Sequence, residues 1–291
     1  MPEDLKHIKF RNSRNPDAAF EIVPLETLFT RTDLNHSPFK PHLVEFYLII
    51  MVLEGHGKHF IDFQEYEYRV GSILTIRKDQ IHQFVKSEVK GYMLLFTDDF
   101  LVSYLDKLES LKALHLFNEL LGIQKLQFEP SAFSVITELV ERIKKEYFQI
   151  NDTYSQGVIR SELHILLTQL YRHKASLNPQ VYPKKYLQEF LQLQELIEKH
   201  CQHTQKVNDY AEMMSLTSRT LNNICHSIVK KSAKKLIDEI AITQIKRLLI
   251  NTELSVKEVA YSSGFEETTN FFKYFKRHTL NTPEQFRKVH I

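Results

Sequence analysis

Polar side chains that can hydrogen-bond to the edges of nucleic-acid bases recur at helical spacing in two segments near the C-terminus. Arginine can bond guanine O6 and N7, asparagine can bond adenine N6 and N7, and threonine or phenylalanine can contact the thymine methyl group. In both segments these side chains lie opposite an apolar stripe, so an ordinary solvated helix face is the alternative interpretation. The candidate base-reading residues are Ser218, Arg219, Asn222, Asn223 and His226 in the first segment, and Thr268, Thr269, Phe272, Lys273 and Lys276 in the second.

Basic residues follow the first of these segments. Lys230, Lys231 and Lys234 are suited to phosphate contacts, which set affinity rather than sequence preference. From Lys184 to Ile291 the chain carries 17 Lys and Arg against 12 Asp and Glu, whereas the rest has a small negative net charge. This asymmetry favours an anionic partner for the C-terminal part, although a solvated surface would show the same excess.

The two polar segments belong to an internal repeat with an offset of 49 residues that becomes 50 after a one-residue insertion. Each copy predicts a short helix, a tight turn and a second helix, which together form a helix-turn-helix. The small Ala211 and Ala260 let the paired helices approach closely, and Gly264 permits a positive φ in the turn. The motifs are predicted over residues 207–228 and 256–278. The matched pairs are Val207 and Val256, Ala211 and Ala260, Ser215 and Gly264, Leu221 and Phe271, Cys225 and Phe275, Ser232 and Thr282, Ala233 and Pro283, and Leu236 and Phe286.

The preceding part of the chain has a different character. Six of the seven glycines precede residue 158, and short β-branched and aromatic runs between them predict antiparallel strands of a sandwich or barrel over residues 1–98. Apolar residues then recur at helical spacing over residues 99–175, and a proline-containing stretch predicts a linker before a DNA-binding domain at 186–291. We therefore expect an α+β protein of two domains, with an all-α C-terminal part.

Composition narrows the class of protein further. Two cysteines form neither a disulfide framework nor a metal quartet, and the N-terminus lacks an apolar leader, so we expect a cytoplasmic protein. No apolar run is long enough to span a bilayer, and no membrane partner is expected. Glycine-rich phosphate loops and nucleophile elbows are absent from the sequence, so we expect no enzyme activity and no cofactor.

The second repeat and the residues after it resemble the signature of the AraC/XylS family of bacterial transcription regulators. The resemblance rests on Val256 to Phe265, Asn270 to Arg277 and Thr282 to Arg287, together with the degenerate upstream repeat. It implies a cupin-like N-terminal barrel that senses a small molecule and a helical segment that carries homodimer contacts. It also implies two helix-turn-helix motifs that read successive major grooves of double-stranded DNA, and an activator that contacts RNA polymerase.

The sequence departs from the family pattern at several positions. The glycine that frequently follows each recognition helix is replaced by Lys230 and Leu280, and an aromatic residue of the first motif is replaced by Cys225. An arginine often found in the linking helix is Ala241 here. These departures make the first motif the weaker match.

A barrel that senses a small molecule, as the resemblance implies, would contain an effector pocket. Such a pocket would be apolar with a few polar groups, and our candidates are His42, Tyr47, His82 and Tyr92. A metal set of His42, Glu45, His59 and His82 is the alternative, but Val44 occupies the place of the second histidine of a His-x-His pair, so no metal is expected.

Two alternative functions follow from these observations. One is a metal-dependent cupin enzyme fused to a DNA-binding tail, which predicts bound metal in the purified protein. The other is an effector-free regulator that uses the barrel only for dimerisation, which predicts a filled barrel interior.

Overall fold

The computed structural model describes residues 7–12, 15, 18–31, 34, 36–102, 113, 115–177 and 184–290. These residues fall into two units by their internal contacts, one within residues 6–180 and one from residue 181 onward. Residues 103–112 of the predicted helical segment, and 178–183 of the predicted linker, lie outside the described residues. Within the described ranges, no helix combines the length and hydropathy needed to cross a bilayer.

The first unit is built on a curled and mostly antiparallel sheet, and it is called the sensor unit below after the role that the resemblance implies. Its strands run in the spatial order β1, β3, β7, β4, β6 and β9, while β5 pairs with β4 and β8 joins β2 to β4. The long β4 therefore contacts four other strands and organises the sheet. The strands are β1 His7–Ile8, β2 Phe20–Pro24, β3 His42–Val44, β4 Tyr47–Ile61, β5 Gln64–Arg69, β6 Ser72–Ile76, β7 Ile81–Phe84, β8 Val89–Phe96 and β9 Lys125–Gln127.

Helices of this unit that follow the first one cover one face of the sheet. Side chains alternate along a strand, and in β4 Tyr47, Ile49 and Met51 pack with these helices. Leu48 and Ile50 point to the inner, concave face, where they pack in one cluster with Leu25 and Leu28 of the first helix. Both faces of this stretch are buried, which explains its continuous apolar sequence. The helical elements are α1 Leu25–Thr30, α2 Asp98–Val102, a 3-10 helix Glu119–Leu121, α3 Pro130–Lys145, a π-helical turn Glu146–Ile150 and α4 Ser155–Leu177.

The second unit, called the DNA-binding unit below, is all-α in its described residues. Together with the sheet of the sensor unit it confirms the predicted α+β class. The six other helices of this unit pack against the linking helix α8, Ala233–Asn251, which explains why apolar residues are distributed around most of the α8 circumference. The helices are α5 Lys184–His200, α6 Val207–Met213, α7 Ser218–Val229, α8 Ala233–Asn251, α9 Val256–Ser262, α10 Thr268–Thr279 and α11 Pro283–His290.

Candidate nucleic-acid interface

The first helix-turn-helix consists of α6 and α7. Ser215 adopts a left-handed φ of 55° in the turn between them, and the buried Ala211 allows the two helices to approach. The hydroxyl of Thr217 accepts a hydrogen bond from the backbone N–H of Thr220 and caps α7. The side chains that α7 buries are Leu221, Ile224, Cys225 and Ile228, so its opposite face is free to meet a partner.

The outer face of α7 presents three of the predicted base-reading side chains to solvent. Arg219, Asn223 and His226 are exposed and make no side-chain hydrogen bond or ion pair with other described residues. Ser218 is half-buried, and its hydroxyl donates to Oδ1 of Asn208 on α6 at 2.6 Å. Asn208 could not be identified from the residue pattern alone, because its role depends on the packing of α6 against α7.

Asn222 occupies a different position from the one expected for a base-reading residue. Its amide nitrogen donates to the carbonyl oxygen of Ser218 at 2.9 Å, and its amide oxygen accepts from the backbone N–H of Ala233 at 3.0 Å. Ala233 is the first residue of α8, so Asn222 ties the first recognition helix to the linking helix. Because both ends of the amide already have partners inside the unit, the structure does not favour the expected contact with adenine.

The second helix-turn-helix consists of α9 and α10 and repeats the geometry of the first. Gly264 has a φ of 81°, as its place in the turn predicted, and a Cβ there would clash with the carbonyl oxygen of Gln202. Phe271, Tyr274 and Phe275 form the buried face of α10. On the other face Thr269, Lys273 and Lys276 are exposed, while Thr268 and Phe272 are half-buried.

Both recognition helices end in the same left-handed conformation. Lys230 has a φ of 56° and Leu280 a φ of 63°, and each backbone N–H bonds the carbonyl four residues earlier. These are the two positions where the family pattern frequently has glycine, which adopts this conformation without steric cost. The repeat therefore preserves the backbone geometry although the residue type has changed.

The predicted phosphate-binding lysines differ in their surroundings. Lys231 is ion-paired with Glu239 at 2.7 Å, and Lys234 is ion-paired with Asp238 at 2.7 Å. Lys230 is exposed, and within the described part of the chain its ammonium donates only to the carbonyl oxygen of Ser227. Contact of Lys231 or Lys234 with a phosphate would use the remaining N–H groups of an ammonium that is already ion-paired within the unit.

The four candidate effector-binding residues do not line one pocket. His42 and His82 face each other on β3 and β7, with ring centroids 4.2 Å apart, and His59 of β4 joins them through a 3.2 Å contact between its Nε2 and Nδ1 of His82. All three imidazoles are buried. Burial lowers the pKa of His42 to about 4 and that of His59 to about 3, and it lowers the pKa of His82 well below its ordinary value.

The two tyrosines lie in the cluster that packs against the helices. Tyr47 is buried between Phe96 and Phe117, and burial together with the carboxylate of Asp98 raises the pKa of its hydroxyl. The hydroxyl of Tyr92 accepts a hydrogen bond from Nζ of Lys144 at 2.9 Å. His59 and His82 instead pack against Phe84, which belongs to the other apolar cluster of the unit.

The alternative metal set is not assembled either. Glu45 is exposed, and its Oε1 lies 3.8 Å from Nδ1 of His7. His42, His59 and His82 are buried. Among the residues that the structure describes, no group of three or more His, Cys, Asp or Glu side chains has the geometry of a metal site.

Comparisons with known proteins agree with this architecture. The model of an AraC-like ligand binding domain matches residues 25–170, and that of a helix-turn-helix domain matches residues 210–289. The chain is 23% identical over 270 residues to the Msm operon regulatory protein of Streptococcus mutans, covering 86% of this chain and 87% of that protein. It is 22% identical over 259 residues to the HTH-type transcriptional activator RhaS of an Enterobacter species, covering 88% and 90%. A solved structure of ToxT from Vibrio cholerae aligns with a TM-score of 0.45 at 17% identity, over 94% of this chain and 99% of that one.

Proposed function

Because this chain belongs to the AraC family of DNA-binding transcription regulators, we propose that its two helix-turn-helix motifs read successive major grooves on one side of a duplex. The observation that carries the proposal is the repeated geometry of the two motifs. Ser215 matches Gly264 and Lys230 matches Leu280 in left-handed backbone, so both recognition helices are delimited in the same way. Each presents a polar face opposite its buried stripe.

The exposed side chains divide into two roles under this proposal. Side chains near the start and middle of each recognition helix contact base edges, since this part of the helix enters the groove in helix-turn-helix proteins. Lys230 and Lys276 contact phosphates, while Asn222, Lys231 and Lys234 act within the unit because their polar groups have internal partners. The proposed base-contacting residues are Ser218, Arg219, Asn223 and His226 of α7, and Thr268, Thr269, Phe272 and Lys273 of α10.

The proposal is tested by selecting bound sequences from a pool of random duplexes with the purified full chain. Two enriched motifs are expected about 10 base pairs apart, because consecutive major grooves on one face are separated by one helical turn, about 34 Å. No enrichment, or enrichment of a single motif, would contradict the proposal that both helix-turn-helix motifs read DNA.

Two variants then separate the proposed roles. Arg219→Ala should lose about 1–3 kcal/mol of preference at one position, whereas Lys276→Ala should weaken specific and random DNA alike and lower the salt slope by about 1. Affinities measured over a series of salt concentrations give both quantities. If the two variants weaken specific and random DNA equally, the division into base-contacting and phosphate-contacting residues is wrong.

The sensor unit is proposed to bind a small-molecule effector that controls activation of transcription. The match to a ligand-binding family supports this proposal. A ligand shifts the equilibrium between two arrangements only if it binds them with different affinities. Calorimetry combined with operator binding tests the coupling, and effector binding without any change in operator affinity would contradict it.

A second candidate function is an effector-free regulator, and the packing of the concave face favours it. Apolar side chains from strands β2 to β8 converge on this face, including Leu48, Ile50, Leu74, Phe84 and Met93. Under this proposal the sensor unit serves homodimerisation. Sedimentation of the full chain tests the proposed homodimer. Transcription assays with RNA polymerase test the proposed activation. Full activation without any added small molecule would favour the effector-free regulator.

A further inference from the structure

A buried carboxylate in the linking helix takes part in hydrogen bonds that connect the two helix-turn-helix motifs, which are called the reading heads below. Asp238 of α8 is 7% exposed, and its Oδ1 accepts two hydrogen bonds. One comes from Nζ of Lys234 at 2.7 Å and the other from the hydroxyl of Tyr274 at 2.9 Å. Tyr274 belongs to α10, the recognition helix of the second head, so this bond fixes α10 to α8.

The same network reaches the first reading head. Nζ of Lys234 also donates to the carbonyl oxygen of Gln205 at 3.2 Å, and Gln205 lies two residues before α6. A continuous series of hydrogen bonds therefore runs from the start of the first motif, through Lys234 and Asp238, to Tyr274 of the second. Neither Asp238 nor Tyr274 is exposed for contact with DNA.

Physical chemistry argues that this network does more than add stability. A buried carboxylate is costly unless it is paired and hydrogen-bonded, and an apolar residue would serve the packing of α8 at least as well. A buried polar group with specific partners does, however, favour one arrangement of the packed helices over others. Lys234 balances the charge of Asp238, and the guanidinium of Arg277 lies 5.5 Å from the centre of the Tyr274 ring.

We propose that Asp238 is a positioning residue that fixes the distance and orientation between the two recognition helices. The inference rests on the proposed two-headed reading of DNA and adds a specific consequence to it. With the network intact, the chain should distinguish operators by the number of base pairs between the two half-sites. Without it, the heads should adapt to several spacings.

The experiment measures full-chain affinity for duplexes that carry both half-sites at spacings from two base pairs shorter to two longer than the selected one. Duplexes with one half-site intact and the other scrambled are measured in parallel. The wild-type protein should prefer the selected spacing over its neighbours by about tenfold or more. Tyr274→Phe, which removes only the hydroxyl, should reduce this preference to about threefold or less while single half-site affinity stays within about twofold. Asp238→Leu, which removes the oxygen that accepts both bonds, should have the same effect.

The chain offers a matched control in the first motif. Tyr210 is also buried, and its hydroxyl donates to the carbonyl oxygen of Thr204 at 2.8 Å. Tyr210→Phe therefore removes a comparable hydrogen bond that involves none of Lys234, Asp238 and Tyr274. It should leave the spacing preference at its wild-type value.

The outcomes separate this inference from the function on which it rests. If the wild-type protein enriches no paired half-sites, the proposed two-headed reading fails. If it has a spacing preference that Tyr274→Phe retains, or if that variant weakens all spacings equally, the positioning role of Asp238 is overturned. Should Asp238→Leu fail to fold, Tyr274→Phe alone decides between these results.

Discussion

The buried histidines make the stability of the sensor unit depend on pH. His42, His59 and His82 have folded-state pKa values lowered by burial, whereas an unfolded histidine titrates near its ordinary value of about 6.5. The unfolded chain therefore binds more protons than the folded chain below that value. The stabilising contribution of each neutral imidazole is complete above about pH 6.5 and is lost as the pH falls toward the lowered folded-state pKa.

The magnitude follows from the same linkage. Between pH 7.5 and 5.5 an unfolded imidazole goes from about one-tenth to about nine-tenths protonated, while a buried imidazole of this cluster stays neutral. Each histidine then lowers the free energy of unfolding by about 1.4 kcal/mol, and the three together by about 4 kcal/mol. His115, whose pKa burial lowers to about 4, adds to this loss. A change of this size is a large fraction of the stability of an ordinary domain.

His59→Leu isolates one histidine. The pH-dependent loss of stability should shrink by about 1.4 kcal/mol relative to the wild type, whatever the substitution does to stability at pH 7.5. Urea unfolding of the full chain is followed by pulse proteolysis, and peptides from residues 42–96 are quantified so that the sensor unit is measured separately.

A control comes from a neighbour that does not titrate. Phe84 packs edge-on against His59 with ring centroids 4.4 Å apart, so Phe84→Leu should lower stability by the same amount at both pH values. If His59→Leu keeps the full pH dependence of the wild type, or if the wild-type sensor unit is equally stable at pH 7.5 and 5.5, the assignment of neutral buried imidazoles is refuted.

Two further predictions concern left-handed positions of the DNA-binding unit. Leu280 has a left-handed backbone and is 85% exposed, so Leu280→Gly removes little packing. The substitution relieves about 1–2 kcal/mol of backbone strain, and the greater freedom of glycine in the unfolded chain offsets about 0.5–1 kcal/mol of this gain. Urea unfolding should show a net gain of about 0.5–1 kcal/mol, and an equal gain from Leu280→Ala would contradict this cause. Gly264→Ala should cost more than about 2 kcal/mol because its Cβ meets the carbonyl of Gln202. Ser215 already carries a Cβ, so Ser215→Ala should leave the free energy of unfolding nearly unchanged. Similar losses of stability in the two variants would contradict this explanation.

Much of the DNA-binding unit could be predicted because its information is local. The offset of the repeat, the spacing of Leu221 and Cys225 and the glycine of the second turn together define two helix-turn-helix motifs. The positions of Lys230 and Leu280 are instructive, since the residue types depart from the family pattern while the backbone keeps its left-handed conformation. In this case the surrounding packing determines the turn, and the local residue accepts the strain.

The internal partners of polar residues could not be predicted in the same way. Asn222 and Lys234 have residue types that suit DNA contacts. Asn222 instead accepts a hydrogen bond from Ala233 of the next helix, and Lys234 donates to Asp238 one turn further along α8 and to the carbonyl oxygen of Gln205 before α6. The sensor unit presents the same difficulty. Alternation along β4 separates Tyr47 from Leu48, but only the tertiary fold determines which of the two faces packs against the helices.

The burial of α8 restricts how such a protein can be recombined with its relatives. Apolar side chains on several sides of this helix, among them Leu236, Ile240, Ile245 and Leu249, are covered by elements of both motifs and by α5 and α11. A reading head grafted alone from another regulator would meet a helix surface shaped for a different neighbour. The smallest piece that can be exchanged between family members therefore includes α8, and substitutions in this helix must be compatible with both heads at once.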